Sequence, residues 1–238
     1  MKKLVLLFFI LALFNNCSIA KKEKSATIFM DDFSKGLTTA WTIENHTFEN
    51  NLAHFSPANV KIVDDKLLLS LNKTSYKGKN YAGAEIRSKM QYLYGRFEAR
   101  MKSAAALGCI TAFFLYQPTG QNNHEIDVEI SGKFPNTVTL NHWIDKRSHV
   151  KDMEMPFDTT TDFHDYTIIW EPKKITWQVD GEIIYTSTTA VPNRPMHVVF
   201  NLWATKSTKW AGDIGAAKLP ATVFIDHVKF YPYQHLKQ

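Results

Sequence analysis

The feature that most limits what this chain can fold into is its rhythm. From residue 60 to residue 231, short runs of apolar, β-branched and aromatic residues follow one another, each closed by turn residues. Val60–Val63 and Lys66–Leu71 flank Asp64-Asp65, and Glu85–Lys89 and Arg96–Lys102 alternate apolar with polar. Ile110–Tyr116, Asn123–Ile130, Val138–Ile144, Tyr166–Trp170, Ile175–Val179, Glu182–Thr186, His197–Trp203 and Thr222–Tyr231 continue the series. Such runs read as strands. Asp180-Gly181 between two alternating runs signals a type I′ hairpin. No stretch carries the periodicity of a convincing amphipathic helix. The expected fold is all-β: a jelly-roll sandwich of two antiparallel sheets, with one sheet face free to form a concave cleft.

The chain has 238 residues, 45% of them hydrophobic, and no repeat, low-complexity tract or Pro/Ser-rich linker divides it. One domain over residues 21–238 is therefore expected. Its 31 aromatics (16 Phe, 9 Tyr, 6 Trp) suit pleated sheets and also line sugar clefts. The formal charge is +5, and without Lys2 and Lys3 no Lys/Arg run exceeds two residues. Nucleic acid is therefore not an expected partner, and a monomer is expected.

Residues 1–20 read as an export signal. Lys2-Lys3 precedes an 11-residue apolar run, Leu4 to Phe14, and Ser18-Ile19-Ala20 supplies small residues for cleavage. The run is too short to span a bilayer as a helix. A secreted or periplasmic protein beginning at Lys21 is expected. Cys17 leaves a second outcome open, a lipidated N-terminal cysteine that would tether the protein to a membrane, although Asn15-Asn16 makes a poor lipobox. Without Cys17, Cys109 is the only cysteine, and no intrachain disulfide can form. In Leu107-Gly108-Cys109-Ile110 it reads as a buried, inert thiol at a strand start.

The chemistry concentrates in His124-Glu125-Ile126-Asp127-Val128-Glu129-Ile130. Strand side chains alternate faces, so Glu125, Asp127 and Glu129 share one face and the three apolar residues share the other. Three aligned carboxylates repel one another, which raises at least one pKa into the range of a general acid working near neutral pH. Four residues of strand span about 13 Å. Two glutamates leaning inward bring their carboxyl groups to roughly 5–6 Å, the separation of a retaining glycosidase and short for an inverting one. Spacing alone does not say which glutamate attacks and which donates. A solvated acidic face and a hard-cation site are the other uses of such a row, although three side chains in one row do not wrap an ion.

The run Glu125-Ile126-Asp127-Val128-Glu129 resembles the signature of glycoside hydrolase family 16. Ala84-Glu85-Ile86-Arg87-Ser88 and Tyr94-Gly95-Arg96-Phe97-Glu98-Ala99-Arg100-Met101-Lys102 resemble the strands before it. Trp170-Glu171-Pro172, Trp177-Gln178-Val179-Asp180-Gly181 and Asn201-Leu202-Trp203 resemble segments after it. The resemblance runs from about residue 30 to residue 233. It implies a β-jelly roll and retaining cleavage of β-glycosidic bonds in a polysaccharide. By this match Glu125 is the nucleophile, Glu129 the acid/base and Asp127 the assisting residue. Position and face add Glu85 and Arg87, Asn141 and Trp143, and Asn201 and Trp203 as sugar contacts, with Trp203, Trp143 and Trp210 as stacking platforms.

There are departures. The lichenase branch commonly has a Trp two residues before the nucleophile, where this chain has Asn123. His124 replaces an acid found in relatives and alternates to the opposite face from Glu125, so it reads as a packed histidine. The disulfide of bacterial lichenases cannot form. No cofactor is implied for catalysis, but relatives often hold a structural calcium through backbone carbonyls and an Asp near the last strand, and Asp226 is the matching position. One branch of the family has a regular Glu-x-Asp-x-Glu strand, as here, and another inserts a residue before the final Glu, making a β-bulge. The regular form resembles lichenases and xyloglucan-acting enzymes, and the bulged form resembles β-1,3-glucanases. Xyloglucan enzymes usually carry a C-terminal extension, for which the seven residues after Thr222–Tyr231 leave no room. The expected substrate is mixed-linkage β-1,3-1,4-glucan. A transglycosylase, a β-1,3-glucanase or a xyloglucan-acting enzyme on the same site are the alternatives. The intact acid triad argues against a non-catalytic carbohydrate-binding module.

Overall fold

Tight turns set the strand registers. Asp64 and Asp65 (φ 50° and 55°), Asp145 and Lys146 (49° and 68°) and Asp180 and Gly181 (52° and 86°) are pairs of consecutive residues with positive φ. That is the type I′ requirement, and its twist matches the strands it joins. The computed structural model describes residues 29–118 and 123–236. The expected export signal, Cys17 and the Lys21 cleavage point lie outside the described residues.

The strands form two sheets. The first has the order β15 (Glu182–Ser187), β14 (Lys174–Val179), β13 (His164–Glu171), β7 (Gly95–Lys102), β17 (Ala221–Pro232), β5 (Lys66–Leu71), β4 (Val60–Val63), with β1 (Phe29–Asp31) also on β17. The second runs β11 (Arg147–Ser148), β10 (Thr137–Ile144), β9 (His124–Ser131), β8 (Cys109–Gln117), β16 (Met196–Ala204), β6 (Tyr81–Tyr92), β2 (Trp41–Ile43). To it are added β12 (Lys151–Glu154) on β10 and β3 (Ala53–Phe55) on β6. Pairing is antiparallel except for the short parallel contact of β3 with β6. This is the jelly-roll sandwich. Among the described residues no helix is long and apolar enough to cross a membrane.

One apolar core lies between the sheets. Ile126, Val128 and Ile130 of β9 enter it beside Phe97, Ile168 and Trp177 of the facing sheet. Burying side chains of this size stabilises by about 1.5–3 kcal/mol each, so β9 has a strongly preferred facing. Register follows from facing, because a one-residue slip would put the acids into the core. Gly132 ends the strand where the chain touches its neighbour: an added Cβ would lie 1.8 Å from the Ala106 carbonyl oxygen. Cys109 opens β8, fully buried, and burial pushes its thiol up to about 11, so it is inert.

Candidate active site

The face of β9 that leaves the core carries the acids. Its ladders are unbroken on both sides. Glu125 opposes Tyr116 and Trp143, Asp127 opposes Phe114 and Asn141, and Glu129 opposes Ala112 and Thr139. The rows continue across the sheet. Ala112 opposes Asn201, which opposes Glu85, and Phe114 opposes Val199, which opposes Arg87. Alternation on five adjacent strands thus gathers residues far apart in sequence over one concave surface. The cleft above it has a volume of ≈ 940 Å³. The three acids line its floor. Glu85, Arg87 and Asn201 line one side, Asn141 and Trp143 the other, and Trp203 and Trp210 one end.

Burial dominates the electrostatics of the row. It pushes the Glu125 carboxyl up to about 7, with the charge of Glu85 adding to the effect. Burial and then the charge of Glu125 push Glu129 up to about 8. Asp127 is raised well above the carboxylate range by burial and by both flanking glutamates. A hydrogen bond between Asp127 and Glu125 raises the first and lowers the second, which puts the proton on Asp127 and the charge on Glu125. Among the described residues Asp127 Oδ1 is buried without a hydrogen-bond partner of its own. The indole Nε1 of Trp177 donates to the Asp127 carbonyl at 3.1 Å, tying the strand to the core behind it. Asn123 Nδ2 donates to Glu125 Oε2 at 3.4 Å, so Asn123 is a polar neighbour of Glu125. His124 is buried on the other face, where its Nδ1 accepts from the Asn193 N–H at 3.3 Å.

The far side of the cleft is a polar clamp. Glu85 Oε1 meets His46 Nε2 at 3.0 Å, and Glu85 Oε2 accepts from Asn201 Nδ2 at 3.0 Å. Arg87 Nε donates to Glu44 Oε1 at 2.7 Å. The hydrogen bond to Glu85 raises the pKa of His46. Glu44, His46 and Phe48 were not among the residues expected from sequence. They come from the segment after β2, which has no strand alternation to give them a face, and only an aromatic in a polar stretch hinted at Phe48. Its ring lies 5.0 Å from that of Trp203. Tyr116 is another cleft residue that the sequence reading missed.

Two of the expected residues sit in crowded surroundings. Trp203 is only 7% exposed and packs with Phe55, Ile110 and Ala211, although it also lines the end of the cleft. Trp143 and Trp210 keep more open surface. Asp226 lies at an irregularity of its strand and is held by nitrogen donors. β17 shifts register between Ile225 and His227, and the extra residue, Asp226, turns outward. Its Oδ1 is 3.2 Å from Lys66 Nζ and its Oδ2 3.0 Å from His227 Nδ1. A cation site needs several oxygens turned to one point. Nitrogen donors take both of its oxygens, and among the described residues no group of three or more His, Cys, Asp or Glu is placed to hold a metal ion, although a calcium held mainly by backbone carbonyls needs no such group.

The sequence profile described as Glycosyl hydrolases family 16 matches residues 41–222, an interval that holds the whole cleft. This chain belongs to that family. As a family 16 member it is a glycoside hydrolase. It is 32% identical over 212 residues to endo-1,3-1,4-beta-glycanase ExoK of Rhizobium meliloti, covering 85% of this chain and 78% of that protein. It is 33% identical over 206 residues to a beta-glucanase of Paenibacillus polymyxa, covering 84% and 80%. Among solved structures, the Bacillus licheniformis beta-glucanase superposes with a TM-score of 0.80 at 28% identity, over 87% of this chain and 99% of that one.

Proposed function

We propose that this chain is a secreted, retaining endo-β-glucanase acting on mixed-linkage β-1,3-1,4-glucan. The observation that carries the reading is the unbroken Glu125–Asp127–Glu129 row on the cleft floor, with a proton held between the first two. Glu125 Oε attacks the anomeric carbon as the glycosidic C–O bond breaks, and Glu129 gives its proton to the leaving oxygen. Water then attacks the same carbon, its proton passes to Glu129, and the ester bond to Glu125 breaks. Asp127, hydrogen-bonded to Glu125, keeps the attacking carboxylate ionised and oriented. Glu85, Arg87, Asn141 and Asn201 bind sugar hydroxyls. Trp143 and Trp210 stack on rings, with Trp203 at the end of the cleft.

The linkage preference rests on two supports. The regular register from Glu125 to Glu129 resembles the lichenase form of the family strand. The relative from Rhizobium meliloti carries the 1,3-1,4 linkage in its name. Export rests on the Lys2-Lys3 and Leu4–Phe14 pattern, with Cys17 lipidation as the alternative. Mass spectrometry of the exported protein distinguishes an N-terminus at Lys21 from a diacylglyceryl-modified Cys17. Reducing-sugar assays on barley glucan, laminarin and xyloglucan test the substrate, and fastest cleavage of laminarin would overturn the linkage assignment while leaving the acids in place. Proton NMR of the first-formed product tests the stereochemistry, and an initial α-anomer would refute the double displacement.

A further inference from the structure

A second groove opens on the side of β9 away from Glu85. In the sheet, β6 with Glu85 and Arg87 lies in one direction from β9, and β10 and β12 lie in the other. There, Ser131, Lys133, Phe134, Asp152, Lys209 and Trp210 surround a space of ≈ 450 Å³. It is continuous with the catalytic cleft, because Thr139, Asp152 and Trp210 line both. It also sits beside one particular acid. Thr139 is the cross-strand partner of Glu129, and Ser131 is the next residue on the same strand face. Tyr116 and Trp143, the cross-strand partners of Glu125, do not line it.

The groove wall is braced. The Phe134 N–H donates to the Ser131 carbonyl at 3.2 Å and to Ser131 Oγ at 3.3 Å, which closes the β9–β10 turn. Lys133 Nζ donates to the Lys209 carbonyl at 3.1 Å and stands 4.8 Å from the centre of the Phe134 ring. Phe134 is nevertheless 44% exposed, an apolar ring shown to solvent at the rim of the groove. Asp152 Oδ1 accepts from Thr139 Oγ1 at 2.7 Å.

We infer that this groove binds the polysaccharide on the leaving-group side of the scissile bond, with Phe134 as a stacking surface and Lys209 and Asp152 as hydroxyl partners. The inference rests on the proposed role of Glu129. The acid must reach the departing oxygen, so the sugar that loses its bond lies against Glu129, and the groove begins there. The chemistry fits a neutral, hydroxyl-rich ring. Each sugar hydroxyl both donates and accepts, and the groove offers ammonium donors and a carboxylate acceptor around an aromatic face. Lys133 is tied to the Lys209 carbonyl and Asp152 offsets one of the two lysines, so the groove is not the one-signed patch that an acidic sugar would require.

The test compares two substrates in each variant. One is barley glucan. The other is a nitrophenyl β-glycoside of a mixed-linkage trisaccharide, whose leaving group fills at most the first position past the scissile bond and leaves the rest of the groove empty. Phe134→Ala and Lys209→Ala are made singly and together, so that Lys209→Ala carries the test if Phe134→Ala fails to fold. The expected result is a fall of about tenfold in the ratio of kcat/KM for glucan to kcat/KM for the aryl glycoside in the double variant, mostly through KM. An unchanged ratio in a folded variant overturns the inference. A wild-type protein that cleaves neither substrate overturns the proposed function, and this inference with it, which separates that failure from the first.

Discussion

Replacing Glu129 by Gln should stabilise the folded protein, and by an amount that depends on pH. Burial and the charge of Glu125 raise the Glu129 carboxyl from 4.5 to about 8 in the folded state. An acid that holds its proton more tightly when folded costs no stability below its unfolded pKa. It costs progressively more as pH rises toward its folded value. Each tenfold change in proton affinity is worth about 1.4 kcal/mol, which gives about 3 kcal/mol at pH 7. Water at the cleft mouth screens part of this and leaves about 1–3 kcal/mol for Glu129→Gln to recover. For a chain of this length that is about 2–10 °C in Tm. Thermal unfolding followed by circular dichroism at pH 4 and at pH 8 measures it. The gain should be present at pH 8 and nearly vanish at pH 4, where wild type and variant are both neutral at this position. Equal Tm values at pH 8, or the same gain at pH 4, would show that burial does not hold this carboxyl up and would remove the electrostatic account of the row.

The same shifts predict a narrow bell for kcat/KM against pH, with its acid limb near 7 from Glu125, its basic limb near 8 from Glu129 and its maximum between them. Activity at pH 5 should be about a hundredfold below the maximum, and a flat profile from pH 5 to 8 would contradict it. Asp127→Asn should cost about 10- to 100-fold in kcat, less than Glu125→Gln or Glu129→Gln, because the amide still donates to Glu125. Equal losses for all three, measured on folded variants, would give Asp127 a larger part than hydrogen bonding. Gly132→Ala should lower stability by about 3 kcal/mol or more, because its Cβ would lie 1.8 Å from a backbone oxygen that cannot swing away. An unchanged Tm would show that the turn has room to move.

Much of the fold was legible because alternation is a local property. The runs over Val60–Val63, Lys66–Leu71 and Val138–Ile144 match β4, β5 and β10 to within a residue. Glu85, Arg87, Asn141 and Asn201 could be placed in the cleft because the parity of their strands is set by core residues on either side. The short strands β1, β2, β3, β11 and β12 escaped notice because two to four residues show no period of their own, and unlike β4 beside Asp64-Asp65 they have no hairpin signal to mark them. Glu44, His46 and Phe48 escaped because a loop has no parity. The surroundings of Asp226 were hidden for a third reason. In β17 the buried positions are Ala221, Val223 and Ile225 before the bulge, and Val228 and Phe230 after it. The two consecutive polar residues Asp226-His227 mark that switch, and they are the signal that the parity of the strand changes there.

The coupling between the two glutamates bears on the reaction as well as on stability. Part of what holds the proton on Glu129 is the negative charge of Glu125. In the proposed first step Glu125 forms an ester with the sugar and loses that charge. The support for the Glu129 proton falls at the moment when Glu129 has handed it over, so the carboxylate left behind is easier to maintain. In the second step Glu129 must accept a proton from water while the ester breaks and the charge returns to Glu125, which again favours the protonated form of Glu129. The spacing that makes the row costly in the resting protein therefore lets one residue act as acid and then as base. Asp127 contributes by keeping its own proton throughout: a third ionised carboxyl in the row would hold the Glu129 proton on in both steps and blunt the alternation.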